Sequence, residues 1–275
     1  MDAEKLIRLR DDGKIDPLTY QLIQEQLTQK SIYVIPGYYG EHADTGKVKV
    51  FARGGSDITG AIISKGVDAK LYENWTDVNG VRAVDPRVVK DAKQIDVITY
   101  REMRELGYRG FGVLHMDAVV PAIEGNIPTR LRNTFDLTNQ GTLIVPSRTS
   151  PEGEMIIGIA GKEGFLSFQI EKTGMNSEKG IAAQVLDVFQ RDKISVEHDP
   201  TGLDAMSVIV HKDELNGKQS QVLTDLANAI NPDSLSVMEG IGLVCIVGQR
   251  IPEISTQVHA RIYTKLADAE IPIIG

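Results

Sequence analysis

The sequence predicts an α/β protein, with a layered domain built on a largely parallel sheet and a tail of smaller α+β modules. In the first half, apolar segments of strand length alternate with amphipathic helical patterns across short connections that contain glycine, as in sheets whose parallel strands are joined by helices. In the second half, a strand, helix and strand pattern occurs twice at similar spacing. The 275 residues are enough to bury a core in each part.

Cap signals and periodicity predict the elements of the first half. Asp16 before Pro17 begins one helix, and a second helix follows the glycines of 54–55. A third helix begins at Thr99, because Thr99 and Glu102 have the spacing of a capping box. Apolar runs bounded by turn residues predict strands at 31–36, 47–51, 69–73, 127–132 and 141–145.

The clearest domain boundary lies at 146–153, where proline, serine and glycine replace apolar periodicity. In the first repeat beyond it, strands at 165–170, 194–196 and 206–210 accompany a helix that carries Ile181, Val185, Val188 and Phe189. In the second repeat, strands at 242–247 and 271–274 accompany a helix that carries Val258, Ile262 and Leu266. We therefore predict a domain over 1–146, a linker over 147–154, a first module over 155–234 and an incomplete second module over 235–275.

Composition and charge disfavour several classes of function. The chain has 30 basic and 38 acidic residues, a net charge of -8, and only 5% aromatic residues, so we expect no nucleic-acid partner. The one cysteine, Cys245, lies in an apolar run and cannot form an internal disulfide, as expected for a cytoplasmic protein. The charged N-terminus lacks a signal sequence, and no apolar segment reaches the roughly 20 residues that span a bilayer, so we expect no membrane partner.

Motifs of several other enzyme classes do not occur in the sequence. Residues 40–48 resemble a phosphate-binding P-loop, but the spacing is too long and Val48 replaces the required serine or threonine. The five histidines show no metal-ligand spacing, and there is no Gly-x-Ser-x-Gly nucleophile elbow. Hydrolase and zinc-enzyme functions are therefore disfavoured.

The strongest local motif lies where a predicted strand meets a predicted helix. Gly54 and Gly55 let a ligand approach the backbone, and the N–H groups in the first turn of a helix attract anions. Arg53 can present a planar guanidinium to a carboxylate, while Ser56 and Asp57 can bind polar groups of a ligand. The same side chains can instead cap a helix at an ordinary turn, and the residue chemistry alone favours neither interpretation.

A second candidate site follows the strand predicted at 69–73. Thr76 and Asp77 come just after that strand, where open α/β sheets bind ligands. Farther along, Asp85 and Arg87 flank a proline, and together they can hold the ribose and phosphates of a nucleotide. Because Asp-Pro-Arg is also ordinary turn chemistry, a plain turn remains the alternative interpretation of this segment.

Taken together, these motifs resemble the aspartate kinases of the amino-acid kinase superfamily. The stretches close to the family's signatures are 51–60, 71–80, 99–103, 113–115 and 132–134. The resemblance covers essentially the whole chain. It implies that 1–146 is the later part of an amino-acid-kinase-type three-layer sandwich. It also implies that the tail contains tandem ferredoxin-like ACT modules, which bind amino-acid effectors.

The resemblance implies transfer of the γ-phosphate of ATP to the side-chain carboxylate of aspartate, with magnesium carried in by ATP. That carboxylate has an ordinary pKa of about 3.9 and is ionised at neutral pH, so no general base is expected. Phosphoryl transfer depends mainly on positioning and on cations that stabilise phosphate oxygens. The implied aspartate-binding residues are Arg53, Gly54, Gly55, Ser56 and Asp57, and the implied nucleotide-binding residues are Thr76, Asp77, Asp85 and Arg87.

The resemblance also implies feedback regulation and self-association. In the first module, the residues that fall where similar enzymes contact an amino-acid effector are Met175, Ser195, Val196 and Glu197. Lysine or threonine is the expected effector. ACT modules commonly pair sheets edge to edge, and an incomplete module leaves strand edges unpaired, so we expect a homodimer or a larger assembly.

The sequence departs from the family at the phosphate-binding loop. Family members open with Lys-x-Gly-Gly, whose lysine and backbone amides hold the transferred phosphate, and this sequence contains no such motif. Arg82 stands where many members have tyrosine beside the nucleotide, and Gly112 stands where some have lysine. We therefore expect little or no kinase activity from this chain alone. A non-catalytic, effector-binding regulatory chain is the alternative function, and a kinase for another carboxylate or carbamate is a third.

Overall fold

The structure, a computed structural model, describes residues 2–51, 54–108, 114, 116–149, 156–249 and 251–274. The chain forms two compact units. Unit 1 contains Met1–Ala160 and Cys245–Ala260, and unit 2 contains Gly161–Val244 and Arg261–Gly275. Helices and strands alternate along the described residues, which confirms the predicted α/β class.

Unit 1 contains two sheets and the helices that pack on them. Its helices are α1 (Leu18–Gln26), α2 (Gly55–Gly66), α3 (Tyr100–Tyr108) and α4 (Val120–Glu124). Its strands are β1 (Arg8–Leu9), β2 (Tyr39–His42), β3 (Val48–Val50), β4 (Tyr72–Thr76), β5 (Val97–Thr99), β6 (Thr129–Asn133) and β7 (Thr142–Val145). The small sheet has the order β1-β2-β3, and the larger sheet has the order β4-β6-β7-β5.

Strand direction reverses in the middle of the larger sheet. β4 is parallel to β6 and β5 is parallel to β7, whereas β6 and β7 are antiparallel. Thr76 and Asn133 are in register at the ends of β4 and β6, and Thr99 and Val145 are in register at the ends of β5 and β7. The carboxyl ends of β4 and β6 therefore lie together, and those of β5 and β7 lie at the opposite ends of the strands. We call these two ends of the strands the two edges of the larger sheet.

The core of unit 1 forms where apolar side chains from the sheet and the helices meet. The larger cluster contains fully buried residues from the sheet and from α3, among them Ile98, Met103, Leu106, Leu131 and Ile144. A separate cluster joins α1, α2 and the small sheet through Leu6, Ile7, Leu9, Ile23 and Ile62. The apolar face of α2 is thereby fixed in place, which orients its N-terminus.

The predicted capping box is present at the start of α3. The backbone N–H of Thr99 donates to Oε2 of Glu102 over 2.8 Å, and the N–H of Glu102 donates to Oγ1 of Thr99 over 3.2 Å. Arg148 adds two bonds to the same carboxylate, from Nη2 to Oε1 over 2.8 Å and from Nε to Oε2 over 3.1 Å. Both side chains of this ion pair are buried. The segment after β7 is therefore tied to the first turn of α3.

The strands that form unit 2 make a ferredoxin-like sheet. The elements of the tail, which lie in unit 2 except for the first residues of β8, the last residues of β11 and the first half of α8, are β8 (Gly158–Glu171), α5 (Ile181–Arg191), β9 (Val196–His198), β10 (Ala205–His211), α6 (Lys212–Leu215), α7 (Gln219–Ile230), β11 (Ser234–Val247) and α8 (Ile251–Asp268). The strand order is β11-β8-β10-β9, and β10 is antiparallel to both β8 and β9. This order, with helices after the first and third strands, is the ferredoxin-like pattern that the resemblance implies.

The predicted helical faces of the tail are confirmed. Val185 and Phe189 of α5 are fully buried in one cluster with Phe168 of β8. In α8, Val258 is buried, and Ile262 and Leu266 follow it at helical spacing as half-buried residues. β11 runs across the module boundary predicted at residue 234, and the division of the tail into modules stays a prediction.

Two predicted strands are not formed. Residues 31–36 lie outside any strand, and Ile32 and Val34 are 94% and 80% exposed. Residues 271–274 likewise form no strand, and the N–H of Ile271 instead bonds to the carbonyl of Leu266 over 2.9 Å at the end of the helix. Apolar alternation indicates β propensity, but a strand forms only where another backbone completes its hydrogen bonds.

Other predicted strands are correct in kind and shifted along the chain. The strand predicted at 69–73 is β4, which begins at Tyr72, and the strand predicted at 194–196 is β9, which begins at Val196. The short strands β1, β2 and β5 were not expected from the sequence. Each has at most four residues, so its side-chain periodicity is too brief to be distinguished from a turn.

Replacing Glu102 tests the buried ion pair. Burial raises the pKa of Glu102, but hydrogen bonds from Arg148 and Thr99 outweigh burial and hold that pKa below its usual value. Glu102→Gln leaves the Arg148 charge buried without a carboxylate, so we expect the free energy of unfolding at pH 7 to fall by about 3 kcal/mol. Urea denaturation followed by circular dichroism measures this change.

The pH dependence separates the ion pair from ordinary packing. A carboxylate whose pKa is lower in the folded state than in the unfolded state stabilises the protein at pH values above the unfolded-state pKa. This contribution is lost as the pH falls through the folded-state pKa. The difference in the free energy of unfolding between wild type and Glu102→Gln should therefore decrease in acid. The exposed neighbour Glu105→Gln, on the same helix, should change stability by no more than about 0.5 kcal/mol. Equal losses in the two variants, or a difference that is independent of pH, would contradict this assignment.

Candidate functional site

The glycine-rich junction forms the N-terminus of α2. Gly54 is the N-cap and has a φ of 74°, in the left-handed region that favours glycine. Gly55 begins the helix, and a Cβ added there would overlap the ring of Tyr38. Ser56 is exposed in the first turn. This junction therefore has the features of an anion-binding helix N-terminus, with a polar hydroxyl beside it. Arg53, the predicted cation of this motif, lies outside the described residues.

Asp57 is held by side chains of strand β4. Its Oδ1 accepts a hydrogen bond from Nδ2 of Asn74 over 2.9 Å, and the hydroxyl of Tyr72 donates to the Asp57 carbonyl over 3.3 Å. Nδ2 of Asn74 also donates to the Tyr72 hydroxyl over 3.0 Å. Burial raises the pKa of Tyr72 to about 12, so this hydroxyl remains protonated at neutral pH. The first turn of α2 is thereby fixed to the strand that ends at Thr76.

The predicted nucleotide residues Thr76 and Asp77 lie at the carboxyl edge of β4 and β6. Thr76 is the last residue of β4, and its hydroxyl donates to Oδ1 of Asp77 over 3.2 Å. The Thr76 carbonyl accepts from the N–H of Thr134 over 2.8 Å, which joins the loops that follow β4 and β6. Asp77 is exposed. These polar groups face the end of the sheet where α/β proteins bind ligands.

An amide and carboxylate network orders the loops beside Thr76. The side chain of Asn79 donates to Oδ2 of Asp136 over 3.1 Å and accepts from the side-chain amide of Asn133. The hydroxyl of Thr138 donates to Oδ1 of Asp136 over 2.7 Å. The bond from Thr138, followed by those from Asn139 and Asn79, lowers the pKa of Asp136. The network keeps this edge of the sheet polar and fixes the backbone around Thr76.

Asp85 and Arg87 pair with each other. Nη2 of Arg87 lies 2.6 Å from Oδ2 of Asp85, and Nε of Arg87 donates to both carboxylate oxygens. The backbone N–H of Arg87 donates to Oδ1 over 2.8 Å, so the carboxylate also closes the turn. These hydrogen bonds from Arg87 lower the pKa of Asp85. The arginine is exposed, and its bonds join it to Asp85 rather than to Thr76 or Asp77.

Of the predicted effector residues in unit 2, Val196 and Glu197 lie in β9, Ser195 directly precedes that strand, and Met175 lies in the turn between β8 and α5. Met175 is 6% exposed, and Val196 packs against the same core cluster from the edge strand β9. Ser195 is exposed, and its N–H donates to Oε2 of Glu214 over 3.4 Å. Glu197 follows in β9 as a half-buried residue. The burial of Met175 indicates a packing role for its side chain in this structure.

Asn74 and Thr59 were not among the sequence candidates, although the structure gives both a role at the junction. Thr59 accepts from the N–H of Tyr38 over 3.1 Å and donates to the Gly55 carbonyl over 2.8 Å. A polar residue within an apolar element is the signal that could have found them, because a buried amide or hydroxyl needs a partner. Which partner it finds depends on tertiary contacts that the sequence pattern does not contain.

Neither a metal cluster nor a membrane helix is found among the described residues. In that part of the chain, no three side chains of histidine, cysteine, aspartate or glutamate are grouped so that they could hold a metal ion. None of its helices is both long enough and apolar enough to cross a bilayer.

A family model and a curated relative match this chain. The model described as Amino acid kinase family matches residues 1–133. Aspartokinase 3 of Bacillus subtilis is 34% identical over 263 residues, which include 95% of this chain and 57% of the relative. The chain thus spans a little over half the length of that relative.

Solved structures of aspartate kinases have the same fold. Aspartate kinase of Clostridium acetobutylicum superposes with a TM-score of 0.92 at 37% identity, over 100% of this chain and 63% of that one. Escherichia coli aspartokinase III, in complex with lysine and aspartate, gives a TM-score of 0.74 at 26% identity, over 91% of this chain and 57% of that one. The same enzyme in complex with aspartate and ADP gives 0.69.

Proposed function

This chain belongs to the aspartokinase family of the amino acid kinases, and we propose that it carries the aspartate-binding and ATP-binding segments of an aspartate kinase together with an amino-acid-sensing module. The proposed reaction transfers the ATP γ-phosphate to the side-chain carboxylate of aspartate. The observation that carries the proposal is the hydrogen bond of Asp57 to Asn74, because it fixes the glycine-rich start of α2 to the strand that ends at Thr76. The two candidate motifs are thereby rigidly connected.

Aspartate binding is proposed at the start of α2. At neutral pH aspartate carries two carboxylates and one ammonium group. A helix N-terminus with a neighbouring hydroxyl suits a carboxylate. Ser56 would donate to that carboxylate, and the left-handed Gly54 lets the ligand approach the backbone. Because the reacting carboxylate is already ionised, these groups need only hold it in line with the phosphate.

Nucleotide binding is proposed at the carboxyl edge of β4. Thr76 and Asp77 supply a hydroxyl and a carboxylate at this edge, and the network around Asn79 holds their loop. Arg87 would have to exchange Asp85 for a phosphate in order to contact the nucleotide, which its exposed position permits. The magnesium that accompanies ATP would neutralise charge on the phosphates.

Catalysis by the chain alone is not expected. The Lys-x-Gly-Gly loop that holds the transferred phosphate in the family does not occur in this sequence. Cationic stabilisation of the phosphoryl group is a major contribution to such reactions, so its loss leaves binding without efficient transfer.

Trapping aspartyl phosphate with hydroxylamine tests the kinase proposal. We expect little or no hydroxamate from the chain alone, and turnover from a fusion in which a family segment with Lys-x-Gly-Gly precedes it. Within the fusion, Ser56→Ala should raise KM for aspartate by about tenfold, since it removes a hydrogen bond to a charged group. Ser31→Ala, another exposed serine, is the matched control and should leave KM unchanged. Full turnover by the chain alone would overturn the inference from the phosphate loop, and an inactive folded fusion would overturn the kinase proposal.

A regulatory chain is the alternative, and the ferredoxin-like sheet favours it as a specific observation. Its elements β8 to β11 are complete within the described residues, and β9 and β11 are its edge strands. Open edges suit pairing with a second copy, so a homodimer belongs to this proposal. The Escherichia coli relative was solved with lysine, which makes lysine the first effector to test here, with threonine next.

Thermal unfolding with lysine, threonine and methionine tests effector sensing. A ligand at 100 times its Kd should stabilise the chain by about 2.7 kcal/mol, and light scattering of the same samples should give at least a dimer. Glu197→Gln should weaken the response, whereas Glu171→Gln, an exposed glutamate at the end of β8, should preserve it. If none of the three amino acids raises the unfolding temperature, effector sensing is contradicted. If light scattering shows only monomers at micromolar concentration, the dimer is contradicted.

A further inference from the structure

A pocket in unit 1 lies away from the residues assigned to aspartate and ATP. It has a volume of about 530 Å³, within the roughly 300–1,000 Å³ typical of small-ligand sites. It is lined by the start of α3, by the end of α4 and by the residue after β7. The lining residues are Tyr100, Arg101, Arg104, Glu105, Ile123, Asn126 and Pro146.

Two arginines give this pocket its charge. Arg101 and Arg104 are one helical turn apart on α3, so their side chains lie on the same face. Both are exposed, and neither guanidinium has a hydrogen-bond or ion-pair partner among the described residues. The nearby carboxylate of Glu102 is already occupied by Arg148. Two guanidinium groups are therefore available beside one cavity, and among the described lining residues Glu105 carries the only opposing charge.

The position of Arg101 also departs from the usual charge pattern of helices. It lies in the first turn of α3, where the helix macrodipole favours acidic side chains and disfavours basic ones. A cation there opposes the local field unless an anion is bound close by. Glu102 differs from Arg101, because its negative charge suits this turn and its hydrogen bonds complete the capping box.

The pocket is separated from the proposed nucleotide site by the sheet itself. Tyr100 directly follows β5 and Pro146 directly follows β7, so the pocket lies at the carboxyl ends of those strands. Thr76 ends β4, whose carboxyl end lies at the opposite edge because β6 and β7 are antiparallel. A ligand in this pocket would therefore be distinct from ATP bound at Thr76.

We propose that this pocket is a second binding site of unit 1, for a small organic anion that carries a carboxylate or phosphate group. Arg101 and Arg104 would hold the anionic oxygens through charge-assisted hydrogen bonds. The amide of Asn126 supplies a neutral polar group, and Ile123 and Pro146 supply apolar walls for a short carbon skeleton. The site does not depend on the proposed kinase activity.

Calorimetric titration of the 275-residue chain tests the proposal. The probes are succinate and inorganic phosphate, titrated separately against sodium chloride of matched ionic strength. We expect at least one probe to bind saturably with one site per chain, and which probe binds assigns the carboxylate or the phosphate class. Arg101→Gln combined with Arg104→Gln should weaken this binding by about tenfold or more, because charge-assisted bonds are lost.

Two further variants keep the result interpretable. Arg191→Gln removes an exposed arginine of α5 and should leave the binding constant unchanged. Glu105→Gln removes the opposing charge and should tighten binding, an effect that damage to the fold cannot produce. Circular dichroism melting confirms that each variant is folded. The proposal is overturned if neither probe binds saturably, or if binding survives unchanged in the double arginine variant.

Discussion

The antiparallel pairing of β6 with β7 determines at which edge of the larger sheet the loops after its strands lie. Had all four strands been parallel, the loops after β4, β5, β6 and β7 would have met at one edge of the sheet. The reversal instead leaves Thr76 and Asn133 at one edge, and α3 with the segment after β7 at the other. The larger sheet thus offers two chemically different edges, one rich in amides and carboxylates and the other bearing two arginines without a partner among the described residues.

Near each edge, polar side chains that are buried or partly buried join a helix to a strand. At one edge, Asp57, Asn74 and Tyr72 connect the first turn of α2 to β4. At the other, Glu102 accepts bonds from both Thr99 and Arg148. Buried polar groups destabilise a fold when a partner is missing, so each contact favours one arrangement of helix and strand over its alternatives. Rigid placement of this kind is what a positioning-dependent reaction requires.

Local signals predicted part of this structure well. The capping box at Thr99 and Glu102 depends on residues three apart, and the helical faces of α5 and α8 depend on spacing within one element, so short sequence windows contain them. The strand predicted at 31–36 fails because Ile32 and Val34 have no sheet to pack into, a fact that no local window contains. At the candidate site, Ser56 and Thr76 were identifiable by motif. The hydrogen bond from Asn74 to Asp57 that connects their segments could not be identified in this way, since it joins residues 17 positions apart in the sequence.

Hydrogen–deuterium exchange with ligand tests most directly whether the amide-rich edge is the substrate site. The measurement compares the chain with and without saturating magnesium ADP and aspartate. Because bound ligand excludes water and closes backbone fluctuations, exchange should slow at 54–60 and 76–80, and this protection should persist when Arg101→Gln and Arg104→Gln remove the second anion site. Unchanged exchange at 54–60 and 76–80, or protection confined to 100–105, would contradict the assignment of aspartate and ATP to the edge that Thr76 occupies.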